Sequence, residues 1–336
     1  MHMSDALLSP AVGGTLWVGA AGLLAVAARR VEREPDPRRV PLMGVLGAFV
    51  FAAQMVNFSI PGTGSSGHLG GGLLLAVLLG PSAAFLVMAS VLAVQALLFA
   101  DGGLLALGAN LLNMGFASCF VAYPLVFRPL AGARPSKGRL LVASILGGVS
   151  GLVLGALGVV GETTASGISA LPTGPFLLLM VPTHAAIGVV EGLATAAVLG
   201  VLWRARPELA VPGPPARRLG PVVAGLAAAA FLAGGALSWL ASTAPDGLEW
   251  SVARTARQEL AAPARGLHAL LARVQAATAV FPDYALPGRA RRAPTWPAPD
   301  AGTSLTGLAG AALTLGVVLA TFLGLRALRR RPTDRP

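Results

Sequence analysis

The stretch Leu140 to Val160, LLVASILGGVSGLVLGALGVV, carries no charged side chain, and two serines are its polar residues. Wound as an α-helix at about 1.5 Å per residue, it is about 30 Å long, the thickness of a bilayer's hydrocarbon core. Its glycines and alanines allow neighbouring helices to approach closely in lipid, where packing drives association. Eight more apolar runs lie around it, approximately Leu8 to Ala28, Pro41 to Phe58, Leu69 to Leu79, Ser82 to Ala100, Leu105 to Phe127, Gly174 to Trp203, Pro221 to Leu240 and Thr303 to Leu325. The run from Leu69 is too short to cross upright, and the run from Gly174 contains Pro182.

The rest of the composition agrees with a membrane protein. Of 336 residues, 55% are hydrophobic and 12% charged, with a mean hydropathy of +0.73. That excludes a disordered chain and an ordinary soluble enzyme. The net charge of +11 would suggest a nucleic-acid partner in a soluble protein, but the placement of the charges decides otherwise. With the N-terminus outside, Arg29 to Arg39, Arg128 to Arg139, Arg204 to Arg218 and the tail from Arg326 all fall on the cytoplasmic side and hold 18 of the 25 Lys and Arg. The other seven lie in one long external segment, Ala241 to Ala301, of the kind that is translocated regardless of charge. This is the positive-inside pattern of a multi-pass protein of the cell membrane, in contact with lipid and not with nucleic acid. Cys119 stands alone inside an apolar run, which excludes an internal disulfide and reads as a small buried hydrophobe.

The first run lacks a basic segment before it, and Arg29 and Arg30 follow it, so it does not read as a cleaved signal peptide. Met1 is expected to stay. Residues 1–205 form a first unit of seven runs, residues 206–220 a Pro-rich cytoplasmic linker, and residues 221–336 a second unit of two runs flanking the external segment.

Few residues can carry chemistry. His68 opens the short third run from a Gly-rich external loop, Gly62 to Gly72; such a loop enters a membrane only where protein buries it or a polar cavity adjoins it. Alone it reads as a structural histidine. His2 adds a sharper reading. The Met1 amine, the deprotonated His2 backbone nitrogen and His2 Nδ1 close a five- and a six-membered chelate ring around one metal. His68 would then complete a planar set of four nitrogens, suited to Ni(II) or Cu(II) and open to Co(II). The plainer alternative is that His2 has no such role.

His184 and Glu191 lie seven residues apart, about two turns, on one face of the seventh run. Glu191 is the only acidic residue deep in a run, and such groups usually face the bundle interior and serve function. The alternatives are a polar packing pair, an intramembrane enzyme built on this pair, or a structural membrane scaffold. Gln54, Asn57, Asn110 and Asn113 either cross-link helices or support the His68 loop, as Ser65 and Ser66 do within it. Ser65-Ser66-Gly67-His68 lacks a third orienting group, so no catalytic residue is assigned. The only lysine, Lys137, sits in Pro135-Ser136-Lys137-Gly138 without a phosphate-cradling loop, so ATP hydrolysis is not expected of this chain.

Taken in order, these motifs resemble the CbiM/NikM family, the substrate-binding membrane subunits of cobalt/nickel energy-coupling factor (ECF) transporters. The resemblance rests on Met1-His2, Ala53 to Phe58, Gly64 to Gly71, Asp101 to Asn110, Asn113-Met114-Gly115 and His184 to Thr195. The remainder resembles the two-span CbiN-like, or PDGLE, component, on Pro245-Asp246-Gly247-Leu248-Glu249 and Phe281-Pro282-Asp283-Tyr284.

The resemblance implies an all-α polytopic membrane protein, a seven-helix ECF substrate-binding bundle plus a two-helix accessory domain. It implies Met1, His2 and His68 as metal ligands and Co(II) or Ni(II) as the transported substrate, with no cofactor of its own. It also implies a transmembrane coupling subunit (CbiQ/NikQ-like), cytoplasmic ATPases (CbiO/NikO-like) and import that serves cobalamin synthesis or nickel enzymes. His184 and Glu191 match a family motif without a ligand role. In the accessory domain Asp246, Gly247 and Glu249 form the named motif; chemically they read either as an external metal collector or as a turn. Ser251 to Val280 is expected as an external helix, with His268 in solvent.

Overall fold

The computed structural model describes residues 1–33, 39–206, 220–256, 260–263, 265–286 and 296–329. The Pro-rich linker expected at 206–220 lies almost wholly outside them. Helices dominate: α1 Pro10–Arg33, α2 Arg39–Gln54, α3 Gly72–Leu79, α4 Pro81–Leu98, α5 Leu107–Ala131, α6 Lys137–Ser166 and α7 Thr173–Ala205 in the first unit, then α8 Gly220–Gly235, α9 Gly247–Thr255, α10 Gly266–Thr278 and α11 Ala301–Arg329. Six of these, α1, α4, α5, α6, α7 and α11, are long and apolar enough to cross a membrane. α2 and α8 are apolar but have 16 residues each, and α3 has eight.

The expected runs and the helices differ where loops claim apolar residues. The second apolar run extends to Phe58, but its helix ends at Gln54 and Phe58 begins a hairpin, β1 Phe58–Ile60 paired antiparallel with β2 Ser65–Gly67. Gly62 and Gly64, at φ +78° and +79°, supply the left-handed turn that L-residues resist. Among the described residues the hairpin is the only β-sheet in the first unit, and it presents His68. The expected external helix over 251–280 is two helices, α9 and α10. Pro263 cannot continue a helix and pushes its predecessor out of the helical region. His268 is not in solvent: it is 4% exposed, and its Nε2 donates to Leu8 O at 2.8 Å, docking α10 on the start of the chain. Cys119 is buried as expected.

Two helices meet at backbone contact. A Cβ on Gly148 would stand 2.6 Å from Gly188 O, one on Gly188 would stand 2.5 Å from Val149 Cα, and one on Gly192 would strike the Ile145 backbone. Glycine at these points lets α6 and α7 lie against each other, the packing that lipid favours. That approach carries Glu191 under the hairpin. The accessory unit is woven in rather than appended: Gly234 of α8 and Gly307 of α11 touch, and Gly310 faces Phe51 of α2.

Candidate metal centre

The chain start is buried. Met1 is 5% and Met3 0% exposed, although no regular element encloses their backbone. Asn110 substitutes for a strand partner: Met3 N donates to Asn110 Oδ1 at 2.8 Å, and Asn110 Nδ2 donates to Met3 O at 3.2 Å. Gly103 N donates to the same carbonyl at 2.9 Å. Room for the Met1 side chain comes from Gly155, where a Cβ would stand 2.7 Å from Met1 Cε. Asn113 donates to Glu162 Oε2 at 2.7 Å and touches Met3 Sδ.

These clamps bring the Met1 amine to 3.2 Å from His68 Nε2. His68 Nδ1 faces Leu69 O at 3.0 Å; a carbonyl only accepts, so Nδ1 carries the proton and Nε2 offers its lone pair. The rings of His2 and His68 stack with centroids 5.2 Å apart and planes 22° from parallel. Burial holds the His2 imidazole below its ordinary pKa. Burial and then the neighbouring ammonium push His68 down to about 3. Both are neutral at physiological pH, the state that ligates metals.

The loop bearing His68 is held from beneath. Glu191 accepts from Gly70 N and, at 3.0 Å, from Gly71 N. Gln54 Nε2 donates to Gly70 O at 2.8 Å. Hydrogen bonds to a carboxylate are roughly twice as strong as neutral ones, so Glu191 fixes the loop. Its oxygens turn to the loop backbone, and among the described residues no hydrogen bond joins Glu191 to His184, the pair on which an intramembrane enzyme would have to rest. His184 is buried; Nδ1 donates to Met180 O at 2.8 Å, and Nε2 has no hydrogen-bond partner among the described residues. It borders a cavity of about 10 Å³ shared with Met1, His68 and Asp246, room for about one water-sized occupant.

The accessory domain closes the site. Asp246 caps α9, its Oδ1 accepting from Leu248 N and Glu249 N, while Glu249 returns a bond to Asp246 N at 3.2 Å. This is a reciprocal cap, a more specific structure than a simple turn. Asp246 Oδ2 accepts from the Met1 amine at 2.9 Å. Burial alone would raise its pKa, but the ammonium and the cap's N–H groups hold it well below the usual carboxylate range. Burial, then Asp246, raises Glu249. Gly247 lets α9 reach α7, since a Cβ there would stand 2.8 Å from Thr183 Cγ2. The preceding segment zips onto the hairpin: Ser66 N donates to Pro245 O at 2.8 Å, Ser66 Oγ to Ala244 O at 2.8 Å, and Ser242 N to Asn57 O at 2.8 Å. Ser65 Oγ pairs with Thr63 Oγ1 at 2.7 Å within the turn.

Thus Met1, His2 and His68 converge, with Gln54, Ser66, Asn110, Glu191 and Asp246 bracing them and their loops. Asn57 contributes its carbonyl, and Ser65 and Asn113 act one step away. Among the described residues, no three His, Cys, Asp or Glu side chains form a metal-binding group, so a four-donor site here depends on main-chain nitrogens. Sequence reading missed Gln95, Asp101 and Tyr284 as site residues. His2 Nε2 lies 3.1 Å from Gln95 Oε1, and His2 Nδ1 lies 3.3 Å from Asp101 Oδ1. A glutamine inside an apolar helix was the signal available for Gln95.

The family described as "Cobalt uptake substrate-specific transmembrane region" matches residues 2–209, and the PDGLE domain matches residues 220–327. The fused nickel transport protein NikMN of Rhodobacter capsulatus is 32% identical over 98% of this chain and 99% of its own length. The probable fused nickel transport protein LarMN of Lactiplantibacillus plantarum is 35% identical over 86% of this chain and 90% of its own. A crystal structure described as a transition metal transporter shares 32% identity, with a TM-score of 0.54, over 61% of this chain and 93% of that one.

Proposed function

Because the chain belongs to the CbiM family of cobalt-uptake transmembrane proteins and carries a PDGLE domain, we propose that it is the metal-binding permease of a transition-metal importer. It takes Ni(II) or Co(II) from outside the cell and delivers it inward. The metal sits in a plane of four nitrogens: the Met1 amine, the His2 backbone nitrogen, His2 Nδ1 and His68 Nε2. A transmembrane coupling subunit and cytoplasmic ATPases supply the energy, and the N-terminus faces outward with the C-terminus in the cytoplasm.

The observation that carries this reading is the 3.2 Å approach of the buried Met1 amine to His68 Nε2. In a planar chelate the amine and Nδ1 both neighbour the fourth donor. Two donors about 2.0 Å from a metal and at right angles stand about 2.8 Å apart, so a shift of a few tenths of an ångström suffices. Loading also turns His2 Nδ1 from Asp101 to the metal and moves the amine from Asp246. The planar nitrogen set favours nickel, as do the names of the fused relatives.

Extending the chain by one residue before Met1 displaces the amine, and His68→Ala removes the fourth donor. Each is expected to abolish high-affinity binding of Ni(II) and Co(II) to purified protein in calorimetry. Stoichiometric binding after amine extension would overturn the proposed ligand set.

A further inference from the structure

The accessory domain reaches His2 as well as Met1. The segment after α10 crosses the external end of α4: Phe281 N donates to Leu98 O and Asp283 N to Phe99 O, both at 2.9 Å. Tyr284 then stacks on Phe99, centroids 4.8 Å apart. Its hydroxyl donates to Asp101 Oδ2 at 2.6 Å, and the other oxygen of that carboxylate faces His2 Nδ1 at 3.3 Å.

Both partners of the Tyr284–Asp101 bond are aimed by unusual backbone. Tyr284 stands at φ +59° and Ala100, just before Asp101, at φ +55°, the left-handed region that non-glycine residues seldom adopt. Such conformations persist where surrounding contacts over-determine them, and they gather at functional sites.

The ring of His2 is flanked by two acceptors. Gln95 Nε2 donates to Gln54 Oε1 at 2.7 Å, which fixes Gln95 Oε1 toward His2 Nε2. Asp101 presents an oxygen to Nδ1. A neutral imidazole has one N–H, so this orientation satisfies one acceptor and sets a lone pair against the other. Rotating the ring by half a turn about Cβ–Cγ brings Nε2–H to the Asp101 and Gln95 side and frees Nδ1 on the opposite edge. That is the arrangement in which a carboxylate orients a metal-bound histidine.

We propose that Asp101 is the orienting carboxylate for His2 and that Tyr284, carried by the PDGLE domain, is a positioning residue that holds Asp101 in place. The accessory domain thereby sets the metal affinity of a ligand in the other unit. The inference rests on the metal-site reading above.

The test is a double-mutant cycle on the full chain in detergent, with nickel chloride and cobalt chloride each titrated by calorimetry. Asp101→Asn is expected to weaken nickel binding ~10–100-fold, the range for lost partners of ligating histidines. Tyr284→Phe, which keeps the ring on Phe99, is expected to weaken it about tenfold. The decisive result is the pair: Tyr284→Phe in an Asp101→Asn background is expected to lose no further affinity, because it acts through that carboxylate. Equal, multiplying losses in both backgrounds, as general loosening of the domain would give, overturn the proposal. So does a Tyr284→Phe affinity within twofold of wild type. Failure of the wild type to bind either metal would instead sink the metal-site reading itself.

Discussion

Glu191→Gln is expected to weaken nickel binding without unfolding the bundle. The carboxylate of Glu191 accepts from the N–H groups of both Gly70 and Gly71, two and three residues after His68. A carboxamide has one oxygen to offer; in the place of Oε2 it still reaches Gly70 N and, at 3.2 Å, Gly71 N, but its NH2 group then stands against Gly71 N where Oε1 accepted at 3.0 Å. Opposing that buried donor costs about 1–3 kcal/mol. Borne by the loop, that is about 5- to 150-fold in the population that holds His68 beside Met1, and hence in the apparent dissociation constant. Glu191→Ala strands both donors and roughly doubles the energy. Calorimetric titration with nickel measures the affinity, and hydrogen exchange at Gly70 and Gly71 reports whether the loop has loosened. A Glu191→Gln protein that binds nickel within twofold of the parent, with both amides still protected, would refute the role given to this carboxylate.

Other outcomes follow from the same geometry. Asn110→Ala removes both side-chain bonds to the Met3 backbone; nickel affinity should fall by about tenfold while exchange at Gly70 stays unchanged. Gly192→Ala drives a Cβ into the Ile145 backbone and should destabilise the α6–α7 contact by about 1–3 kcal/mol, read as a lower melting temperature in detergent. Metal binding should weaken as pH falls, because the charged amine and the His2 amide must each lose a proton. His68, pushed down to about 3, and His2, also held low, arrive neutral and add none. Calorimetry in buffers of different ionisation enthalpy should count about two protons released per metal.

How much of this was legible in the sequence differs by level. The six long apolar helices were plain, because a charge-free stretch such as Leu140 to Val160 has few fates; the runs that became α2, α3 and α8 form helices of 16, eight and 16 residues, shorter than the span expected of them. The proposed ligand set was suggested by His2 and His68, two histidines that the expected topology puts on one side, and the structure brings the Met1 amine within 3.2 Å of His68 Nε2. The hairpin at Phe58–Gly67 was not legible, since its short strands merge with apolar runs on either side. Nor was the burial of His268, which depends on a carbonyl 260 residues away. Asp246 read either as a metal collector or as a turn, because the ion pair with Met1 is set by tertiary packing and not by spacing. Glu191 was marked by its solitude, but its task, accepting from the backbone of Gly70 and Gly71, appears when α6 and α7 close on Gly148, Gly188 and Gly192. Asp101 and Tyr284 lay within quoted motifs, and the packing of Tyr284 on Phe99 gave them their role.

Anomalous diffraction at the nickel edge, from crystals of the full chain grown with nickel, locates the metal directly. We expect a single strong peak in the plane of the Met1 amine, the His2 backbone nitrogen, His2 Nδ1 and His68 Nε2, with Asp246 drawn away from the amine. A peak on Asp246 and Glu249, or on His184, with the Met1 amine still paired to Asp246, would contradict the account.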